Sequence, residues 1–355
     1  MLTSRRTRRI GCEPLSESRA APARSPFTTW VLTDGKAGDE LPCLAVAEAL
    51  GLPAETRRVQ PRKSFAWLMP WGPIDPAEAP GRQGSPIAPP YPDLLFASGR
   101  RSVPYLRAVK RLSRGRTFTV FLKDPRTGSR TADAIWVPAH DRLRGDNVLV
   151  TLTPPHRVSA ARLAAARAHP DPRLAAVATP RVAVLVGGDS HHHRFTPTDI
   201  ACFARDLAEL ARSGAGLMIS VSRRTPVALR EALVGLAAEH GAFLWDGSGD
   251  NPYVGMLALA EAVVVTADSF NMAGEATASG VPILVFEPSG RHPKLSAFNA
   301  ALAERGIVHV FRGRLEGQAY EPLDTTPALA RFVTERLALH RHSLGLPMPA
   351  PRAEI

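Results

Sequence analysis

Short unbroken apolar runs punctuate this chain, and between them apolar residues return every three or four positions. The first pattern suits strands buried on both faces of a parallel sheet, and the second suits amphipathic helices. Strands are predicted over 28–33, 54–59, 94–97, 117–122, 134–137 and 148–151, with helices over 38–50 and 103–112. A second series has strands over 182–186, 217–221, 243–245 and 263–265 and helices over 197–212, 227–240 and 252–260. A Pro-rich excursion fills 61–92, a polar, Ala-rich stretch fills 154–180, and a last helix is predicted over about 326–341. Such alternation means α/β units, here two doubly wound Rossmann-like domains facing across a cleft outside their strand carboxyl ends. The predicted division is an extension over 1–26, domains over 27–153 and 181–325 with a linker over 154–180, and a returning helix and tail over 326–355.

Composition narrows the function. A length of 355 residues suits two domains, and no apolar run reaches the 18 residues of a membrane-spanning helix. Cys12, Cys43 and Cys202 have neither metal nor redox spacing, which suits a reducing compartment. The net charge is +11, of which residues 1–26 carry +4 and the remainder +7. That excess favours an anionic partner such as a nucleotide diphosphate or an anionic lipid surface, and no nucleic-acid motif is visible. Residues 1–26 lack the apolar core of a secretory signal and read as a disordered extension, with Glu13, Glu17, Pro14 and Pro22 weighing against a transit helix.

The richest segment is AEAVVVTADSFNMAGEATASGVPILVF, residues 260–286. It reads as strand, tight loop, helix and strand, with Asp268 or Ser269 as helix cap and Gly280 as stop. Asn271 and Glu275, four apart, share a helix face. A helix start beyond a parallel strand favours an anion, and a carboxylate one turn further in can accept hydrogen bonds from sugar hydroxyls. Phosphate beside ribose is a nucleotide arrangement.

Further polar turns fall at predicted strand ends. Asp34-Gly35-Lys36-Ala37-Gly38 opens the first helix, Ser98-Gly99-Arg100-Arg101 follows the third strand, and Lys123-Asp124-Pro125-Arg126 and His140-Asp141-Arg142 follow later ones. Four such turns on one rim suggest a polar site. His140, Asp124 or Asp34 could take a proton from an attacking hydroxyl, although His140 could equally cap a helix or bond the backbone. Arg223 and Arg224 in Ser222-Arg223-Arg224-Thr225-Pro226 could neutralise a diphosphate, or form an ordinary salt bridge. His191-His192-His193 reads as a solvated loop, because adjacent side chains converge poorly on one ion; no metal is expected. The tryptophans of Phe65-Ala66-Trp67-Leu68-Met69-Pro70-Trp71, beside Arg62 and Lys63, suit either a membrane interface or a loop over the core.

The 260–286 segment resembles the nucleotide-binding helix of GT-B glycosyltransferases, especially the lipid-linked N-acetylglucosaminyltransferase of peptidoglycan synthesis, with Glu275 and Gly280-Val281-Pro282 in matching places. A wider resemblance runs from Trp30 to Phe311, through WVLTDGKAG, AEALGL, ASGRRSVPYLR, KDPR, PAHDRLRGDNVL, VGGDS, SRRTP, NPYVGMLALA and TADSFNMAGEA. It is to the mitochondrial-fission ELM family of plants and its bacterial relatives, some labelled nucleoside-diphosphate-sugar epimerases. The chain departs from those relatives at Asp39 and Pro42, where they carry His and Gln. The resemblance implies a GT-B-like protein that binds a nucleotide-sugar and transfers the sugar to an acceptor, free or lipid-linked. Gly187, Gly188, Ser190, Arg223, Arg224, Ser269, Asn271 and Glu275 would hold the nucleotide, and Gly35, Lys36, Gly38, Arg100 and Arg126 would face the acceptor. The alternatives are an epimerase or hydrolase on the same fold, or a non-catalytic scaffold. No cofactor is expected, and the location implied is cytoplasmic with weak peripheral contact at an anionic membrane face.

Overall fold

The computed structural model describes residues 27–347. The extension expected over 1–26, and residues 348–355 of the tail, lie outside them. The first half holds a parallel six-stranded sheet: β1 (Thr29–Thr33), β2 (Ala54–Arg58), β3 (Leu94–Ser98), β4 (Phe118–Leu122), β5 (Ala134–Pro138) and β6 (Val148–Thr151), in the order β2-β1-β3-β4-β5-β6. Helices α1 (Ala37–Ala49) and α3 (Val103–Leu112) flank it, and a short α2 (Lys63–Leu68) interrupts the Pro-rich excursion. β1, β3, β4 and β5 are buried along their whole length, as their apolar runs predict. Leu32, Leu95 and Phe121 build the core on one face, and Phe96, Phe118 and Trp136 build it on the other. Truncating such a buried aromatic to Ala typically costs about 3–5 kcal/mol.

The stretch expected as a linker folds into α4 (Ala160–Ala168) and α5 (Pro172–Ala175). Leu163 and Leu174 are buried in the core of the second half, so Ala-rich composition here signals close helix packing. A second parallel sheet then forms. Its strands are β7 (Arg181–Val186), β9 (Gly216–Val221), β10 (Phe243–Trp245), β11 (Ala262–Thr266), β12 (Ile283–Phe286) and β14 (Val308–Val310), in the order β10-β9-β7-β11-β12-β14. A small antiparallel pair, β8 (His193–Arg194) with β13 (Ser289–Gly290), sits outside it. Its helices are α6 (Pro197–Arg212), α7 (Val227–His240), α8 (Tyr253–Leu259), α9 (Phe270–Ala276) and α10 (Pro293–Ala303). The strand order reverses between β1 and β3 in the first sheet and between β7 and β11 in the second, which are the places where doubly wound folds bind ligands.

The chain then returns to the first half. Helix α11 (Thr326–Ser343) lays Leu329, Val333 and Leu337 into the first half's core beside Val46 and Trp136. The two crossings between halves run side by side. Thr153 and Thr325 share a hydroxyl hydrogen bond of 2.7 Å, and the Thr326 hydroxyl accepts from the His156 N–H at 2.9 Å.

Candidate functional site

A cleft of about 660 Å³ opens between the halves. Such a volume is within the roughly 300–1,000 Å³ usual for small-molecule sites. From the first half Lys36, Arg100, Lys123, Asp124, Arg126, His140 and Asp141 line it, and from the second Ser190, His192, His193, Asp268, His292 and Lys294. Phe121, Pro138, Phe270 and Leu295 supply apolar wall. Five cationic side chains against three acidic ones make it a positive cavity. The N-terminal turns of α1, at Lys36, and α10, at Lys294, reach it and add to that field.

On the second half, β7 and β11 end side by side and their turns lock together. The Gly187 N–H donates to Thr266 Oγ1 at 2.8 Å, and the Gly188 N–H to Asp268 Oδ2 at 3.0 Å. The Thr266 hydroxyl donates to Asp268 Oδ1 at 2.7 Å. Both glycines are demanded by contact: a Cβ at Gly187 would sit 2.2 Å from the Asp268 carboxylate, and one at Gly188 2.0 Å from the Arg224 carbonyl. Asp268 therefore organises the loop and faces the cleft. The resemblance implies that Gly187 and Gly188 hold the nucleotide, but in the structure their amides are already engaged.

Arg224 is also engaged, donating to Asp268 Oδ2 at 3.0 Å and to the Asp189 carbonyl at 3.1 Å. Arg223 is exposed, and neither arginine is among the cleft-lining side chains. Ser269 caps its own helix, accepting from the Met272 N–H. Ser190 lines the cleft while its hydroxyl oxygen accepts from the His192 and His193 amides.

Asn271 and Glu275 share a face, as their spacing predicts, but not the cleft. They line a separate notch of about 40 Å³ with Leu41, Pro42, His156 and Arg157, which has room for water but not for a ribose. Asn271 reaches the Gly38 carbonyl of the opposite half at 3.5 Å. Glu275 accepts from the Tyr253 hydroxyl at 2.6 Å, and burial pushes its carboxyl above the usual range.

On the first half, Asp34 is buried between Lys36 at 2.6 Å and Arg101 at 3.7 Å and is not among the cleft-lining side chains. Gly35, with φ +81°, gives the turn its left-handed step. Lys123 bridges the Gly38 carbonyl at 3.0 Å and Asp39 at 2.6 Å, and Asp39 also accepts from Ser98. Asp39 thus ties the β1, β3 and β4 turns together. Lys123 and Arg126 both hold positive φ, +84° and +63°, in one four-residue loop on the rim. Non-glycine residues in that region are uncommon, and they cluster at functional sites. Asp124 accepts from the Arg126 N–H within that loop. Arg100 and Arg126 have no carboxylate partner among the described residues. His140 packs edge-on against Phe270, with ring centroids 5.4 Å apart, and burial lowers its basicity below the ordinary imidazole value.

Several cleft residues were not expected. The His191–His193 segment is not the solvated loop its sequence suggests: His193 is buried, and His192 meets His292 with ring centroids 4.2 Å apart. Pairing of β8 with β13 joins them, and Gly290 (φ +117°) allows that approach. His292 caps α10, and Lys294 on its first turn pairs with Asp141 across the cleft. The usable signal was His292-Pro293 ahead of an Ala/Leu-rich stretch, a helix start. Among the described residues no group of three or more His, Cys, Asp or Glu is placed to hold a metal ion.

The family model described as mitochondrial fission ELM1 matches residues 37–337. The chain belongs to that family. Among relatives, it is 26% identical to mitochondrial fission protein ELM1 of Arabidopsis thaliana over 280 residues, 71% of this chain and 66% of that protein. It is 31% identical to the uncharacterized protein RP120 of Rickettsia prowazekii over 169 residues, 45% of this chain and 47% of that protein. It thus spans less than two thirds of either relative. Among solved structures, UDP-GlcNAc 2-epimerase of Methanocaldococcus jannaschii superposes with TM-score 0.52 at 11% identity, covering 87% of this chain and 100% of the enzyme. The same enzyme in complex with UDP-GlcNAc and UDP superposes with TM-score 0.50 at 12% identity, covering 87% and 99%. These likenesses establish for this family member the two-domain, GT-B-like fold.

Proposed function

We propose that this ELM-family chain binds a nucleotide-sugar in the cleft and transfers the sugar to an acceptor held by the first half. The observation that carries this reading is the positive cleft facing both topological switch points at once. A nucleotide-sugar brings a diphosphate for the cations and apolar sugar and base faces for Phe270, Phe121 and Leu295. That the solved complex of a protein with this fold holds UDP-GlcNAc and UDP makes UDP-sugars the first ligands to try.

In the proposed reaction an acceptor hydroxyl attacks the anomeric carbon. The bond from that carbon to the diphosphate oxygen breaks, and the nucleoside diphosphate departs with the bonding pair. Lys36, Arg126 and Lys294 offset its growing negative charge. His140, kept neutral by burial, accepts the acceptor's proton. Glu275 and Asn271 enter this scheme only if the helix α1 residues Leu41 and Pro42 move off their notch. The protein would then act in the cytoplasm.

A second reading is a non-catalytic scaffold. The engagement of Gly187, Gly188, Arg224 and Glu275 within the protein itself favours it. Incubation with UDP-sugars, with and without candidate acceptors, followed by product analysis separates the readings. Acceptor-dependent UDP release supports transfer. Altered sugar or UDP release without acceptor means epimerisation or hydrolysis, and binding without turnover supports the scaffold.

A further inference from the structure

The outer face of the first half carries an aromatic and basic patch that nucleotide-sugar chemistry does not use. Helix α2 turns Ala66 inward, and Met69 just after it is fully buried. The same segment leaves Trp67 79%, Leu68 44% and Trp71 67% exposed. Single exposed apolar residues are ordinary, but three within five residues form a patch. The segment is anchored on the core by one side and leaves apolar surface to solvent on the other.

Basic side chains border this patch. Trp71 shares a shallow groove with Ile74, Pro104, Arg107 and Arg111, the two arginines lying one turn apart on α3. Lys63 opens α2. None of Lys63, Arg107 and Arg111 has an ion-pair partner among the described residues, whereas Arg62 is held by the buried Asp75. Tryptophan settles at the headgroup level of a bilayer, and unpaired Lys and Arg are drawn to anionic lipid. Among the described residues no helix is long and apolar enough to cross a membrane, and the contact inferred is peripheral.

We infer that Trp67, Leu68 and Trp71, with Lys63, Arg107 and Arg111, dock the protein on an anionic lipid surface. The patch is linked to the cleft, because Arg100 on the cleft rim donates to the Met69 carbonyl at 2.7 Å. Docking would hold the acceptor side of the cleft close to the headgroups. It depends on neither the nucleotide nor the reaction.

The test uses the full chain and vesicles of phosphatidylcholine alone or mixed with phosphatidylglycerol, each carrying brominated acyl chains. Of the five tryptophans, Trp30 and Trp136 are buried and only Trp67 and Trp71 are highly exposed, so bromine quenching reports on this face. Quenching is expected with anionic vesicles at low salt and not with neutral ones. Trp67→Ser with Trp71→Ser should reduce binding. Arg107→Ala with Arg111→Ala should weaken it roughly fivefold per residue. Far-UV circular dichroism matching wild type confirms the fold of each variant. Vesicle binding without quenching, or unchanged in folded variants of both kinds, overturns the inference. So does a concentration-dependent dimer that the Trp changes abolish while vesicles are ignored. A nucleotide-sugar titration of the same variants should be unchanged, which separates failure here from failure of the proposed function.

Discussion

The Arg224 guanidinium donates to the fully buried carboxylate of Asp268 at 3.0 Å, joining the turn after β9 to the turn after β11. Asp268 also accepts from Gly188 and Thr266, so it is the centre of that cluster and Arg224, about half exposed, is its edge. Asp268→Ala should cost about 1–3 kcal/mol for each buried donor left without a partner. Arg224→Ala should cost about 1 kcal/mol or less, since its charge is partly solvated. Urea unfolding of the two variants checks this order, and equal losses would contradict it.

Glu275 sets up a pH test. Burial raises its carboxyl in the folded protein, so the folded state holds that proton more tightly than the unfolded chain. The favourable contribution is complete below the ordinary carboxyl value of 4.5 and is lost as pH rises through the raised value. Glu275→Gln keeps an acceptor for Tyr253 and removes the buried charge. Its melting temperature should match wild type near pH 4 and exceed it at neutral pH. A variant less stable than wild type at neutral pH would show that the carboxylate itself is needed.

His140 and His292 run the other way with pH. Burial lowers both below the ordinary value of 6.5, so the unfolded chain binds these protons more tightly. Their contribution is complete above 6.5 and is lost as pH falls through the lowered values. A His140→Gln, His292→Gln variant should flatten the decline in melting temperature below pH 6.5. An unchanged pH profile would mean that the two imidazoles are solvated.

Lys294 tests the cleft's electrostatics. Lys294→Ala should weaken UDP binding about tenfold and nucleoside binding little, as expected for a lost charged hydrogen bond of about 1.5–3 kcal/mol reduced by screening. The difference should shrink as salt rises. Equal loss for nucleoside and diphosphate would make Lys294 only a strut to Asp141.

The strands were legible because parallel strands buried on both faces leave a mark that few other elements share, as Val263-Val264-Val265 does inside β11. Helix α9 and its stop were legible through Ser269 and Gly280, the latter at φ +76°. Helix α10 was not read, although His292-Pro293 marks its start, because the polar lead-in over 287–292 has no period, and His292 and Lys294 were missed with it. Pairings set by strand order were also hidden. Arg224 and Asp268 stand 44 residues apart in sequence and meet because β7 lies between β9 and β11. Residue types therefore placed polar turns around the cleft, but which of them would be used up by each other depended on the fold.

The central claim is tested most directly by calorimetric titration of the full chain with UDP-sugars, beside a Lys294→Ala, Arg126→Ala variant. The cleft reading predicts saturable binding of one ligand per chain by wild type, weakened at least about tenfold in the variant with its fold intact, as loss of a charged contact requires. Absence of binding across the panel, or equal affinity in both proteins, would contradict it.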